Sequence, residues 1–206
     1  IAKEAIMNYC LRLKETFELY VSIQENKEHN KGLEVFFMIG KVAPFYPLLI
    51  HTKKHHPNRF DELLSNLNKF VFRATLTKLR SSGESYINTH LRHIDDAITL
   101  VKEFILNNWC NINNRVIASL YYKNYYEWLS KNTVRFILFS YENSLREHKG
   151  YPKLTIKEYF KTTPNGARFL NIEHITAKKT KGIIFDEDFR KNYLNNIGNL
   201  VIDYIG

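Results

Sequence analysis

Two short motifs near the end of the sequence contain residue types that can hydrolyse a phosphodiester. One is the pair Glu173 and His174 within the apolar run 171–176, and the other is Asn199 at the head of the run 200–202. Hydrolysis needs a base that deprotonates water and a cation that neutralises charge on the phosphate. The His174 imidazole can supply the base and the Glu173 carboxylate can hold a metal ion. The motifs therefore predict a nuclease-type site.

The local geometry of the motifs is consistent with that chemistry. If residues 169–175 form a strand, Glu173 and His174 lie on opposite faces and do not compete for one position. Mg²⁺ suits a site of this kind because it uses one or two protein oxygen ligands and keeps several waters. The Asn199 amide can accept and donate, so it can hold the loop that carries His174 through backbone hydrogen bonds. Gly198 permits a close approach or a positive φ angle.

The elements that must position these motifs are mostly helical. Apolar residues that recur every three to four positions predict amphipathic helices over most of residues 1–26, from about 57 to 80, over 85–107 and over 133–148. The predicted stripe of the first helix contains Ile6, Cys10, Leu13, Phe17 and Val21. Residues 33–50 are expected to be buried and bent, because Pro44 and Pro47 interrupt any helix there. Residues 111–114 are predicted to form a turn.

The pattern changes after the turn at Gly150. Residues 154–160 alternate between apolar and polar, which predicts a short strand, and the later apolar runs are short. We therefore predict a domain boundary near residue 150. The fold class is mainly α, with a multi-helix domain at 1–150 and a small, incomplete α+β domain at 151–206.

Composition and charge limit the classes of function. A hydrophobic content of 44% argues against a disordered chain. The net charge of +9 favours a polyanionic partner such as nucleic acid, although solvated helix faces explain it equally well. Cys10 and Cys110 suggest neither a disulfide framework nor a thiolate zinc site. This cysteine usage fits a reducing cytoplasm, which is the expected location. The sequence shows neither a signal peptide nor a membrane span.

Residues 172–175 and 196–200 together resemble a known nuclease family. They are similar to the HNH-type (ββα-metal, His-Me finger) domain at the C-terminus of GmrSD-type restriction proteins, where the pattern reads roughly E-H-I-x-P followed by G-N-L. The resemblance implies a general base at His174, a divalent-metal ligand at Glu173 and a loop-orienting role for Asn199. Mg²⁺ is the expected ion. Ala177 stands where the family usually has Pro.

The resemblance also implies a biological role, which is the recognition and cleavage of foreign, often modified, DNA in antiphage defence. Related full-length proteins carry a ParB-like nucleotidase domain with a D-G-Q-Q-R type motif that this sequence lacks. The last metal ligand of the HNH pattern is expected beyond Gly206. The chain is therefore expected to be a piece of a longer protein, inactive or weakly active by itself.

Three positively charged residues are candidates for contacts with nucleic acid. Lys178, Lys179 and Lys181 follow His174 and could bind phosphates. An ordinary solvated loop is an equally good explanation of these lysines. The alternative for the whole chain is a non-catalytic helical module that binds nucleic acid or docks a partner, with the Glu-His strand merely structural.

Other clusters have simpler explanations. His90 and His93 lie one helical turn apart and could chelate a metal, but polar residues on a helix surface account for them. The aromatic residues of segment 121–128 could stack on unpaired bases, but core packing is the more economical interpretation.

Overall fold

The computed structural model describes residues 2–40, 42–78, 84–91, 96–122, 124–177 and 185–204. The α-helices are α1 (Ala2–Glu25), α2 (Lys31–Ile39), α3 (Tyr46–His55), α4 (Phe60–Leu76), α5 (Glu84–His90), α6 (Ala97–Leu120), α7 (Tyr125–Trp128), α8 (Lys131–His148), α9 (Ile156–Phe160) and α10 (Glu187–Asn192). Two strands, β1 (Leu170–His174) and β2 (Leu200–Tyr204), form an antiparallel sheet. The predicted fold class, mainly α with a small α+β part, is confirmed.

The chain divides into two compact units within α6. The N-terminal unit comprises residues 1–37, 41–74 and 79–111, and the C-terminal unit comprises 38–40, 75–78 and 112–206. This division differs from the domain boundary that the sequence predicted near residue 150. The difference arises because α8 packs against both β1 and β2, so the last long helix and the sheet share one core.

The N-terminal unit follows the predicted apolar pattern in its middle segments. The apolar face of α4 is buried, and its members are Phe60, Leu63, Leu67, Val71 and Ala74. The segment with two prolines is bent, as predicted, because α2 ends before a short 3₁₀ helix (Ala43–Phe45) that leads into α3. Both prolines occupy first-turn positions, where the missing N–H removes no helical hydrogen bond.

The first helix forms where the sequence predicts it, but its apolar stripe is not buried. Ile6 and Phe17 are 64% and 63% exposed, while Ile23 near the end of α1 is fully buried. Contiguous apolar surface of this kind marks a candidate interaction face. None of the helices in the described part of the chain combines the length and the apolar character needed to cross a bilayer.

Two element predictions are wrong. Residues 111–114 do not form a turn, because α6 runs through them. Asn is only slightly worse than average in a helix, so its neighbours can override it. Residues 154–160 do not form a strand, because Thr155 and Glu158 form a reciprocal capping box that starts α9. In the region of the predicted helix 85–107, the structure has α5 and the start of α6. Residues 92–95 between them lie outside the described part.

The core of the C-terminal unit lies between α8 and the sheet. Its buried side chains include Val134, Leu138, Phe139, Leu170, Ile172, Leu200 and Ile202. The buried Arg135 of α8 donates from Nε to the carbonyl of Leu170 at 3.1 Å, and from Nη1 to Asn132 Oδ1 at 3.0 Å. Burial lowers the pKa of Arg135. These bonds fix the start of β1 on α8.

Asp96 caps α6 and also joins it to the start of α4. Its Oδ1 accepts from the backbone N–H of Ile98 at 2.9 Å, and its Oδ2 accepts from Arg59 Nη1 at 2.8 Å. Burial alone would raise the pKa of Asp96. The hydrogen bonds from Thr99 and Arg59 outweigh burial, and they hold this pKa well below its usual range.

We expect Asp96→Ala to lower the free energy of unfolding by about 1 to 2 kcal/mol, because it removes both the cap and the partner of Arg59. Asp96→Asn should cost less, since its side-chain oxygen can still cap the helix. A lowered pKa means that the ionised form stabilises the fold at neutral pH, so the difference between wild type and Asp96→Ala should shrink as pH falls below about 4. Urea unfolding at several pH values measures this difference. A pH-independent difference would contradict it.

Candidate functional site

The register of the sheet determines which face carries each candidate residue. Ile172 pairs with Ile202 and His174 pairs with Leu200. Ile172 and Leu200 are buried, Glu173 is exposed and His174 is half-buried. Alternation along β1 therefore places His174 on the inner face at the end of the strand and Glu173 on the outer face. The sequence predicted that the two side chains lie on opposite faces, but not which of them lies on the inner face.

Asn199 fastens the segment that follows His174. Its Oδ1 accepts from the N–H of Thr176 at 2.9 Å, and its Nδ2 donates to the carbonyls of Thr176 at 3.3 Å and Leu194 at 2.9 Å. Its own carbonyl accepts from the N–H of Ile175 at 2.9 Å. The amide thus makes the kind of backbone hydrogen bonds that the sequence predicted for it. We call this set of bonds the Asn199 clamp.

The His174 ring lies between Asn195 and Tyr126, and Tyr126 belongs to α7. Its Nε2 is 3.2 Å from Asn195 Oδ1. The ring of Tyr126 meets it edge to face, with centroids 4.8 Å apart and an interplanar angle of 68°. The backbone N–H of Tyr126 donates to the carbonyl of Asn195 at 3.1 Å. Asn195 and Tyr126, the two residues that contact the imidazole, are therefore hydrogen-bonded to each other through their backbones.

Asn195 links His174 to a carboxylate on α7. Its Nδ2 donates to Glu127 Oε1 at 3.2 Å, and the other oxygen of Glu127 accepts from Asn124 Nδ2 at 2.8 Å. Glu127 and Asn195 were not predicted as site residues, and Tyr126 was among the aromatic residues of segment 121–128 for which core packing was preferred. The available signal was weak, namely the position of Asn195 immediately before the second motif.

Glu173 offers the kind of donor that a hard divalent cation takes. Its carboxylate is exposed and accepts from Asn171 Nδ2 at 2.8 Å, which leaves room for a hydrated ion. Among the described residues, no group of three or more His, Cys, Asp and Glu side chains could hold a metal. Glu173 therefore fits as one ligand of a hydrated Mg²⁺, and the described residues do not form a complete metal site.

Positive charge near the site comes from a residue that the sequence analysis did not single out. Lys131 donates from Nζ to the carbonyl of Tyr126 at 3.0 Å, and its ammonium group lies over the Tyr126 ring that contacts His174. The predicted phosphate contacts Lys178, Lys179 and Lys181 lie outside the described residues. Of the predicted histidine pair, His90 stacks on Tyr86 with ring centroids 4.0 Å apart, and His93 also lies outside the described residues.

An open pocket of about 480 Å³ borders the Asn199 clamp, and its lining comprises Phe189, Tyr193, Asn196, Gly198 and Asn199. The rings of Phe189 and Tyr193 are stacked. Gly198 does not have the positive φ angle that the sequence analysis considered. Its N–H instead donates to Asn196 Oδ1 at 2.9 Å, and an added Cβ would lie 3.4 Å from that oxygen. A Cβ at that distance would be in ordinary van der Waals contact, so neither a positive φ angle nor a close approach requires glycine at this position.

These features define the C-terminal unit as a small α+β domain in which a clamped antiparallel sheet presents a histidine at the end of one strand. Residues 111–202 match the family model described as GmrSD restriction endonucleases, C-terminal domain. The resemblance noted in the sequence is therefore confirmed over this segment, which contains Glu173, His174 and Asn199. No curated protein and no solved structure matches the chain.

We expect Asn199→Ala to loosen the segment after His174, because the backbone groups of Thr176 and Leu194 lose their partner. The cost should be about 1 to 3 kcal/mol in the free energy of unfolding, with faster hydrogen exchange at the Thr176 amide. Asn165→Ala, in an exposed turn of the same unit, is the matched control and should change neither quantity. Unchanged exchange at Thr176 in Asn199→Ala would show that the clamp does not hold the segment.

Proposed function

We propose that this chain is the nuclease part of a GmrSD-type restriction protein and that it hydrolyses the phosphodiester bonds of foreign, modified DNA. The observation that carries the proposal is the Asn199 clamp. It anchors the segment after a strand-end histidine, and it lies inside the segment that matches the restriction endonuclease family. The proposed partners are DNA and a ParB-like nucleotidase domain or subunit of the same system, in the cytoplasm.

His174 acts as the general base in this proposal. Its ring takes a proton from a water molecule while the water oxygen attacks phosphorus and the bond to the leaving oxygen breaks. The Asn199 clamp keeps the ring in a constant direction, because it anchors the two residues that follow. Lys131 contributes positive charge close to Tyr126, which favours the approach of a phosphate. Lys178, Lys179 and Lys181 are proposed to contact the DNA backbone.

A divalent cation, Mg²⁺ in the first instance, completes the proposed chemistry. When bound it would neutralise negative charge that develops on the phosphate and the leaving oxygen. Glu173 is the ligand that this chain offers for it. The carboxylate and the His174 ring leave opposite faces of β1, so the two groups perform their roles without occupying the same position.

The exposed apolar face of α1 favours a second candidate function, a non-catalytic module that docks a partner. Ile6, Leu13 and Phe17 are each more than half exposed on one helix. In this alternative, the Glu-His strand is structural and the catalytic groups belong to another subunit. The two candidates differ in whether His174 is required for cleavage.

We expect His174→Ala in the full-length protein to lower the rate of DNA cleavage by about 10²- to 10⁴-fold, the usual contribution of a general base, with little loss of DNA binding. Cleavage of plasmid and modified phage DNA in Mg²⁺ or Mn²⁺, with EDTA as the metal-free control, measures the rate. His148→Ala is the matched control because His148 is exposed in the last turn of α8.

Equal cleavage by wild type and His174→Ala would exclude His174 as the base. Cleavage by neither protein, on any of these substrates, would favour the docking module instead. Loss of cleavage in His148→Ala as well would indicate a general loss of folded protein rather than a loss of the base.

We expect Glu173→Ala to raise the Mg²⁺ concentration needed for half-maximal cleavage by about 10-fold or more, because a ligand is lost. A metal titration of the cleavage rate measures the change. Glu147→Ala removes an exposed carboxylate from α8 and serves as the control for net charge. An unchanged titration in Glu173→Ala would mean that Glu173 is not a ligand.

A further inference from the structure

Three side chains, those of Glu127, Asn195 and His174, form a hydrogen-bonded chain from α7 to the Nε2 atom of the His174 ring. Glu127 Oε1 accepts from Asn195 Nδ2 at 3.2 Å, and Asn195 Oδ1 lies 3.2 Å from His174 Nε2. Both Glu127 and Asn195 are held in place by further hydrogen bonds. Asn124 donates to the other oxygen of Glu127, and the backbone of Asn195 accepts from Tyr126. Glu127 and Asn195 lie 68 residues apart in sequence.

The donor and acceptor roles along this chain follow from the carboxylate. An ionised carboxylate accepts hydrogen bonds and cannot donate them, so the amide nitrogen of Asn195 must face Glu127. The amide oxygen then faces His174. Because that oxygen also only accepts, His174 Nε2 must carry the hydrogen. A neutral imidazole has one N–H, so the basic lone pair belongs to Nδ1.

We propose that Glu127 and Asn195 are positioning residues that fix the tautomer of His174, with the proton on Nε2 and the basic lone pair on Nδ1. The assignment of the tautomer stands on the hydrogen bonds alone. Its catalytic consequence rests on the proposed function, since Nδ1 is then the atom that takes the proton from water.

The same contacts restrict rotation of the ring. A half-turn of the imidazole would place a carbon atom next to Asn195 Oδ1 and would lose the hydrogen bond. The edge-to-face contact with Tyr126 limits the space in which the ring can turn. Since the N–H of Tyr126 also holds the carbonyl of Asn195, one short helix controls both the tautomer and the direction of the base.

Substitution at Glu127 tests the direction of the hydrogen bonds. Glu127→Lys supplies only donors, so Asn195 should turn its oxygen toward the lysine and its amide nitrogen toward His174. Nε2 then becomes the acceptor and the proton moves to Nδ1. Glu127→Gln keeps an oxygen that can accept, so it should keep the wild-type tautomer. Glu147→Lys makes the same change of charge on α8 and is the charge control.

The measurement is the ¹⁵N spectrum of histidine-labelled protein above the titration range of the ring, with His174 assigned by its absence in His174→Ala. In wild type, Glu127→Gln and Glu147→Lys, the Nε2 signal should have the shift of a protonated nitrogen and Nδ1 that of an unprotonated one. In Glu127→Lys the two should exchange. The cleavage rate of full-length Glu127→Lys should fall by about 10²- to 10⁴-fold, the range for loss of a base or of its correct tautomer.

The outcomes separate this inference from the proposed function. A wild-type spectrum with the proton on Nδ1 overturns the inference, whatever the variants do and whether or not Glu127→Lys folds. The expected tautomers with no cleavage by any protein would support the positioning network and contradict the nuclease. An exchanged tautomer with wild-type cleavage in Glu127→Lys would overturn the catalytic consequence.

Discussion

The candidate site depends on the register in which β1 pairs with β2. Because side chains alternate along a strand, a slip of one residue would turn Glu173 toward α8 and His174 toward the outer face. Such a slip would bury a carboxylate in a core formed by Leu170, Ile172 and their partners, and an unpaired charge in that position is costly. The apolar pattern of the two strands therefore specifies the register, and the register specifies the position of the histidine.

A sheet of two strands is marginally stable alone, so the register needs support from outside the sheet. That support comes from α8, which packs on both strands and whose buried Arg135 bonds the first carbonyl of β1. At the other end of β1, the Asn199 clamp fastens the residues after His174 to the start of β2. The histidine thus leaves the sheet between two points that are both held by hydrogen bonds.

The sequence predicts those features of the site that depend on local pattern. Alternation in β1 places Glu173 and His174 on opposite faces, and the amide of Asn199 suggests backbone hydrogen bonds. The contact of Glu127 with Asn195 joins residues that are distant in the chain, and no local pattern reports it. Only the folded chain shows which oxygen and which nitrogen meet at His174.

The failures of prediction in the fold have the same physical origin. Over the seven residues 154–160, a period of two and a period of 3.6 are hard to distinguish, and the capping box at Thr155 was the better signal. The apolar stripe of α1 correctly predicts a helix, but it does not predict whether the stripe is buried. A helix that packs on its own core and a helix that binds a partner require the same apolar pattern. Asn at 111–114 suggests a turn by preference, and the surrounding helix overrides that preference.

The interposed amide of Asn195 suits a base that must meet a polyanion. A carboxylate in direct contact with the imidazole would fix the same tautomer, but it would also place a full negative charge against the ring as a phosphate arrives. Glu127 fixes the orientation of the neutral Asn195 amide, and the amide in turn fixes the tautomer of His174. The negative charge of Glu127 therefore lies farther from the proposed path of the phosphate. The Lys131 ammonium group lies over the Tyr126 ring, and the Tyr126 ring contacts His174, so positive charge stays close to the imidazole. The proposed arrangement therefore orients the base while limiting electrostatic repulsion of its substrate.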